Sequence, residues 1–354
     1  MHHPPLFRWL CLLALLALPH AAAADTVTVK GTKLEGTVTA VTAKNVELKT
    51  IYGDGKLTIP IEDVEAIDTQ SVFHVFHGDD VDTTGRIVGV EDKGLLVAPA
   101  AGEPERIAIA DVNAVRPELG EDATFIDDLR TELPYWTGRF DLDFNYQQAT
   151  TDVLGLGIGL DLSRELGPNR LRFGTTYRRG SEKRQGESKS TTANELRAIL
   201  RGEHDFTSVI FGFASLEGER DQIEALSIRT IPKLGVGYKL YESERVKLRV
   251  ETGGAYVYER FFGGDTNDFF SIAFGGESDV KLPYGATWHS RVDYLPSVSD
   301  FLGDYILRGE TGLLVPMTER LSFRVSLVNV YDSTPAQGTT RNSFNTLVGL
   351  SVGL

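Results

Sequence analysis

From residue 135 onward the chain alternates apolar and polar side chains in run after run. The last run sets Phe344, Thr346, Val348, Leu350, Val352 and Leu354 on one face against Asn345, Gly349, Ser351 and Gly353. A period of two is that of a β-strand with two different faces. About twelve such runs follow one another, over residues 136–148, 152–164, 169–179, 191–205, 207–218, 225–241, 245–261, 267–281, 284–295, 303–315, 319–332 and 342–354. Short connections (Leu166–Asn169, Asp205–Thr207, Glu242–Glu244, Leu282–Pro283, Pro316–Thr318) alternate with mostly longer polar ones (Ser181–Ser190, Glu219–Glu224, Phe262–Thr266, Pro296–Leu302, Ser333–Arg341). An even number of antiparallel strands with this asymmetry predicts an all-β, closed antiparallel transmembrane barrel with both its ends on one side.

The faces can be told apart. Val246, Leu248, Val250, Thr252, Gly254, Tyr256 and Tyr258 oppose Lys247, Arg249, Glu251, Gly253, Ala255, Val257 and Glu259, and Leu196, Ala198 and Leu200 oppose Glu195, Arg197, Ile199, Arg201 and Glu203. Arg308 and Glu310 oppose Leu307, with Thr311 partly breaking the register. A lipid-facing side must be apolar, whereas a lumen tolerates charge. Arg197, Arg201, Glu203, Arg249 and Glu251 are therefore the candidate lumen charges. Their mixed signs predict paired ladders that bridge a narrow interior and favour no single ion. Trp136, Tyr146, Tyr177, Tyr238, Phe269, Tyr284, Trp288 and Tyr331 lie near strand ends, as residues of an interfacial belt do.

Three segments precede the barrel at 135–354. Residues 1–24 read as a secretory signal: Arg8, the apolar Leu10–Leu18 core and Ala22-Ala23-Ala24 before Asp25. Residues 25–117 hold two copies of one unit. Ile59, Ile61, Asp63, Val64, Ala66 and Ile67 recur as Ile107, Ile109, Asp111, Val112, Ala114 and Val115, 48 positions on (107 − 59). Upstream, Gly31, Gly36 and Val38 are echoed by Gly78, Gly85 and Ile87. Each copy has four or five short Val-, Ile- and Thr-rich runs with turns such as Tyr52-Gly53-Asp54-Gly55, and a one-turn helix at Asp-Val before its last strand. The pattern resembles tandem SH3-like or Sm-like small barrels, either two small domains or one fused module. Residues 118–134 read as a linker with a short amphipathic helix, in which Glu118, Glu121, Asp122, Asp127 and Asp128 interleave with Leu119, Phe125, Ile126 and Leu129.

The chain carries 36 basic and 50 acidic side chains, a formal charge of −14, which argues against nucleic acid as a partner. Its one cysteine, Cys11, lies in the signal, so the exported chain has no thiol chemistry. No catalytic, cofactor or metal site emerges from the remaining motifs. His289 and Ser290 are adjacent and so point to opposite faces of a strand, and His289 reads as a belt residue beside Trp288. His204 beside Asp205 sits at a turn and has no third partner for a hydrolytic triad. His74 and His77, with Asp79 and Asp80, face opposite ways for metal ligands, and the first copy has Val27 and Lys30 there. Gly155, Gly157 and Gly159 alternate with Leu156, Ile158 and Leu160 and fit the small face of a strand, not a phosphate loop. The basic stretch from Arg178-Arg179 to Lys189 reads as a solvated loop.

From Leu196 to Leu354 the sequence resembles the DUF481 family of YdiY-like salt-induced outer-membrane proteins. The resemblance rests on Glu217-Gly-Glu219-Arg220-Asp221, Lys233-Leu-Gly235-Val-Gly237-Tyr238-Lys239-Leu240, Glu251-Thr-Gly253-Gly-Ala255-Tyr256, Tyr294-Leu295-Pro296-Ser297-Val-Ser-Asp300 and Tyr305-Ile-Leu307-Arg308-Gly-Glu310-Thr311. It implies a barrel in the bacterial outer membrane and no particular activity, and it leaves the N-terminal repeats outside. Gly349, Val352 and Leu354 resemble the C-terminal signal read by the barrel-assembly machinery, with Leu354 where Phe is usual. The partners expected are outer-membrane lipid, that machinery, and a periplasmic protein or the cell wall for the repeats. The expected role is structural or that of a narrow, weakly selective channel, and not that of an enzyme. The alternatives are an outer-membrane enzyme and an autotransporter-like barrel with a short passenger.

Overall fold

The computed structural model describes residues 24–354 except 43–44, 51–55, 79–80, 119–124, 134, 148–150, 185–187, 319 and 337. Residues 1–23 of the expected signal, the Tyr52–Gly55 turn, Asp79, Asp80, Leu119, Glu121 and Asp122 lie outside the described residues, as do the side chains of Asp127, Asp128 and Tyr146. The chain divides into two compact units, Met1–Pro134 and Tyr135–Leu354.

In the first unit the repeat is structural to fine detail. The strands β1 (Asp25–Val29), β2 (Thr32–Val41), β3 (Asn45–Thr50), β4 (Lys56–Pro60) and β5 (Val64–Asp68) pair in the order β4-β3-β2-β1-β5. The second copy, β6 (Phe73–His77), β7 (Val81–Glu91), β8 (Gly94–Ala98), β9 (Glu105–Ala108) and β10 (Val112–Pro117), pairs as β10-β6-β7-β8-β9, which is the same order. A single 3-10 turn, Ile61–Asp63 or Ile109–Asp111, precedes each fifth strand as the Asp-Val repeat predicts. Gly36 and Gly85 occupy equivalent places because a Cβ there would lie 2.3 Å from the Lys49 carbonyl oxygen or 2.4 Å from that of Ala98. Two residues on, the amide of Val38 donates to Asp25 Oδ2 at 2.8 Å and that of Ile87 to Thr69 Oγ1 at 2.9 Å.

The two copies do not form separate cores. Val27, Val38, Leu48, Ile67, Phe73, Ile87, Leu95 and Val97 are buried in one apolar cluster. β5 packs against β7 and β10 against β2, so each copy gives its fifth strand to the second strand of the other. Of the two arrangements the repeat allows, the chain adopts one fused module. The helix α1 (Phe125–Glu132) follows it.

The second unit is a closed antiparallel barrel of twelve strands: β11 (Trp136–Gln147), β12 (Thr151–Leu166), β13 (Asn169–Arg184), β14 (Ser190–Asp205), β15 (Ile210–Asp221), β16 (Leu226–Glu242), β17 (Val246–Phe261), β18 (Thr266–Lys281), β19 (Thr287–Pro296), β20 (Tyr305–Pro316), β21 (Leu321–Asp332) and β22 (Asn342–Gly353). Each pairs with its sequence neighbours, and β22 returns to β11 with Arg139 opposite Gly353. The outer wall is apolar: Leu234 and Phe270 are each 70% exposed, and Leu196, Leu200, Leu248 and Val250 also face out.

Four expectations change. The Ser181–Ser190 loop is shorter, because Ser181–Arg184 continue β13 where the start of β12 still offers backbone partners, Thr151 opposite Arg184. With the strands so extended the difference between the two ends narrows, and the two long connections, 297–304 and 333–341, both lie at the end away from the termini. Phe269 is not a belt residue. Its register opposite Val257 turns it inward, where it joins Ile231, Leu295 and Ile306 in an apolar cluster on the inner wall. His289 also faces inward, whereas Trp288 and Ser290 face out.

Candidate functional site

The barrel interior is the candidate site, and the alternation that makes the strands also fills it. Away from the register shifts at the ends of β16, alternate residues of β14 to β20 point inward, so Arg197, Arg201, Glu203, Arg249 and Glu251 all enter one space, as the sequence predicts. Arg201 and Glu203 are almost fully buried. Arg201 donates to Glu203 Oε1 and Glu251 Oε2, both at 2.6 Å, and Arg249 lies 3.3 Å from Glu203. Phe213 lies under the Arg201 guanidinium, 4.2 Å from it, and Phe211 under Arg249 at 5.8 Å, which is cation–π geometry. Gly237 makes room for this layer: a Cβ there would stand 2.1 Å from the Phe211 ring.

These five belong to a larger network. At the barrel end away from the termini, Arg229 Nη2 lies 2.5 Å from both Glu259 and Asp332, and Nη1 reaches Glu219 at 3.4 Å. Glu219 takes Arg308 at 2.7 Å, and Arg308 also holds Glu217. Glu217 gathers Arg197 at 3.1 Å and Lys233 at 3.7 Å, and Lys233 continues to Asp293. Arg291 joins Asp293 at 2.8 Å to Glu251 at 3.2 Å and Glu277 at 3.6 Å. Arg249 at 2.8 Å and Arg172 at 3.0 Å also reach Glu277, and Arg170 links Glu203 to Glu165 at the opposite end. A second cluster sets Arg324 against Asp143 at 2.9 Å and Arg139 against Asp161 at 2.9 Å, with Asp141 between the two arginines.

Several of these contacts cross the interior. Arg308 on β20 meets Glu217 and Glu219 on β15, Arg229 on β16 meets Asp332 on β21, and Arg172 on β13 meets Glu277 on β18. None of these strand pairs is hydrogen-bonded as neighbours. Buried arginine–carboxylate pairs with several hydrogen bonds hold both charges in place, because removing one partner strands the other in a poorly solvated site. Glu217, Glu219, Arg229, Glu277, Arg291 and Asp293 were not singled out in the sequence as lumen charges. The signal for them was present as same-face spacing, Glu217-x-Glu219-x-Asp221 and Arg291-x-Asp293.

At the end away from the termini, Glu195, Glu219, Asp221, Glu224, Arg229, Asp332 and Arg341 line a recess of about 40 Å³. Burial, and after it the Asp221 carboxylate, raises the Glu224 carboxyl above its ordinary range. Near the other end, Glu277, Asp279 and His289 bring ligand atoms within 4.8 Å of one another, the one such trio among the described residues. Glu277 is already engaged by Arg172, Arg249 and Arg291, whose charges oppose a metal cation there.

The other described histidines share no partner with one another. His204 Nδ1 bonds Asn169 Oδ1 at 2.8 Å, while Asp205 turns to Lys239 at 2.7 Å. His74 bonds Asp82 and His77 bonds Thr83, each at 2.9 Å, without a shared partner. Arg178 enters the interior and pairs with Glu195.

Residues 141–354 match the model of a family described as a protein of unknown function, DUF481. A comparison with curated proteins found no match. Among solved structures the chain is similar to the NanC porin, with 9% identity over 60% of this chain and 98% of that one and a TM-score of 0.38. It is similar to the KdgM porin in complex with disordered oligogalacturonate, with 11% identity, coverage of 60% and 98%, and a TM-score of 0.33. It is also similar to the translocator domain of the autotransporter NalP from Neisseria meningitidis, with 12% identity, coverage of 62% and 86%, and a TM-score of 0.34.

Proposed function

The chain belongs to the DUF481 family, and from that premise we propose that it is an outer-membrane β-barrel with a structural or narrow, weakly selective channel role. Residues 1–24 act as the export signal, and the fused N-terminal module lies in the periplasm as an interaction unit for an envelope protein or the cell wall. The termini end of the barrel then faces the periplasm. The C-terminal strand is the segment offered to the barrel-assembly machinery. The reading assigns no catalytic step.

The observation that carries the reading is the pairing of an apolar outer wall with an interior bridged from wall to wall by ion pairs. Among the described residues no helix is long and apolar enough to cross a membrane, and the closed barrel leaves no unpaired strand edge for lipid to meet. Inside, Arg308, Arg229 and Arg172 reach across the lumen, and acidic groups beside each offset the field that a selective filter needs. Planar-bilayer recordings on the purified full chain test this. Small, weakly selective conductance is expected, rising in Arg308→Ala, which removes a cross-lumen bridge. Large, steady, porin-sized conductance in the unaltered protein overturns it.

A further inference from the structure

On the outer wall, near the barrel end that carries the termini, cross-strand register sets Leu171, Gly202, Ala214 and Leu234 side by side on β13 to β16. The next row toward the rim is Asn169, His204, Gly212 and Val236. The next row inward, Phe173, Leu200, Leu216 and Pro232, is bulky throughout and closes the depression. The result is a groove of about 540 Å³, within the ~300–1,000 Å³ of ordinary small-ligand sites. A Cβ at Gly202 would meet nothing within 4 Å, so the space over it is open.

The rim end of the groove is polar and cationic. Arg164 on β12 pairs in register with Leu171 and therefore lies on the same outer row. Its guanidinium sits over the Tyr135 ring at 5.6 Å. No carboxylate meets it among the described residues, in contrast with the paired arginines of the interior. An arginine on a lipid-facing wall is destabilising by an amount that shrinks toward the interface, and an anionic partner lowers it further. His204 Nδ1 donates to Asn169 Oδ1 at 2.8 Å, which orients the Asn169 side chain and leaves its amide group to donate to a ligand. The Phe206 ring, edge-on to His204 at 5.4 Å, covers Gly212 and forms a lip.

We propose that this groove holds one phospholipid molecule of the periplasmic leaflet, its acyl chain along Gly202 and Ala214 and its phosphate against Arg164 and Asn169, with His204 holding Asn169 in place. The proposal rests on the outer-membrane reading above, which places this end of the wall in that leaflet. The occupant follows from two features together. The trough opens to the bilayer, so an acyl chain enters it without leaving an apolar medium. The unpaired cation stands at the rim, where a phosphate group lies.

The test uses the full-length protein in nanodiscs of phosphatidylethanolamine and phosphatidylglycerol, with a trace of phosphatidylglycerol carrying a photoreactive group on its acyl chain. Adducts are mapped by mass spectrometry. In the unaltered protein they should concentrate on residues 200–216 and 232–236. Arg164→Gln should lower them about tenfold, as expected for loss of a charge-assisted hydrogen bond. Gly202→Leu, which fills the trough, should lower them at least as much. Gly309→Leu puts the same bulk on another open glycine of the wall and should leave them unchanged. Adducts spread evenly around the barrel overturn the proposal, as does labelling that Gly202→Leu leaves intact. Labelling unchanged by Arg164→Gln overturns the phosphate assignment. Heat-modifiable migration reports insertion separately: a protein that never enters the discs overturns the membrane reading and this proposal together, whereas an inserted protein with an unlabelled groove overturns this proposal alone.

Discussion

In the N-terminal module the alternating strands turn Val38, Leu48 and Ile87 inward, whereas in the barrel they turn Arg201, Glu217 and Arg308 inward and leave Leu196, Leu234 and Phe270 outside. Both units are antiparallel sheets with a period of two. Their interiors are held by different forces. The module gains from removing apolar surface from water, while the barrel interior depends on charges that are each satisfied by several partners. Alternation identifies a strand without saying which face is inside, and the surrounding medium decides that.

The contrast breaks most visibly when the wrong chemistry is placed in each interior. Ile87→Asp puts a carboxylate without a cation into the apolar core and should destabilise the module by about 4 kcal/mol or more. Protease cutting within residues 25–117 should accelerate while the heat-modifiable barrel band persists. Loss of both together would mean that the two units do not fold as separate cores. In the barrel the matching change is Glu217→Leu, apolar for charged. It leaves Arg197 without its carboxylate and Lys233 with only Asp293, and should lower stability by about 3–5 kcal/mol in unfolding into lipid vesicles. A neutral outcome there would remove the case for an interior organised by ion pairs.

The outer wall gives the next test. Leu196→Arg, near the middle of β14 on the outer wall, should cost about 2–4 kcal/mol. Arg249→Leu should cost less, because Glu203 keeps Arg201 and Arg170, and Glu277 keeps Arg172 and Arg291. Equal losses would mean that the faces are exchanged. The smallest effect is expected at the module surface. Lys30, largely exposed, meets Asp63 at 2.9 Å, and Lys30→Ala should change stability by no more than about 1 kcal/mol in the same protease assay.

The strands of the barrel were legible because each needs only its own alternation to declare itself, and their faces followed once a membrane was taken as the medium outside. Arg249 and Leu248 are separable by parity alone. The partners across the lumen were not legible, since Arg308 meets Glu217 only through the radius of the closed sheet, which no local window contains. Phe269 misled for a related reason. An aromatic near a strand end suits the outer belt, and only the register opposite Val257 turns it inward. In the module the 48-residue repeat announced two like sheets, but the reciprocal packing of β5 on β7 and β10 on β2 depends on contacts between copies that a repeat does not encode. The groove around Gly202 was hidden in the same way, as it draws one residue from each of several strands.

The pairing of Arg139 with Gly353 joins positions 214 apart (353 − 139) and is the seam of the barrel. Seen as an event in time, it makes β22 the strand on which the rest waits. Until it arrives, the sheet from β11 to β21 presents two open edges with unpaired amides and carbonyls, the form most prone to join another chain. Contacts this distant in sequence slow folding, although the entropy of closing the loop itself grows only slowly with length. The chain must therefore be kept from pairing prematurely until β22 is delivered, and a chain that lacks β22 should accumulate as an open, sticky sheet.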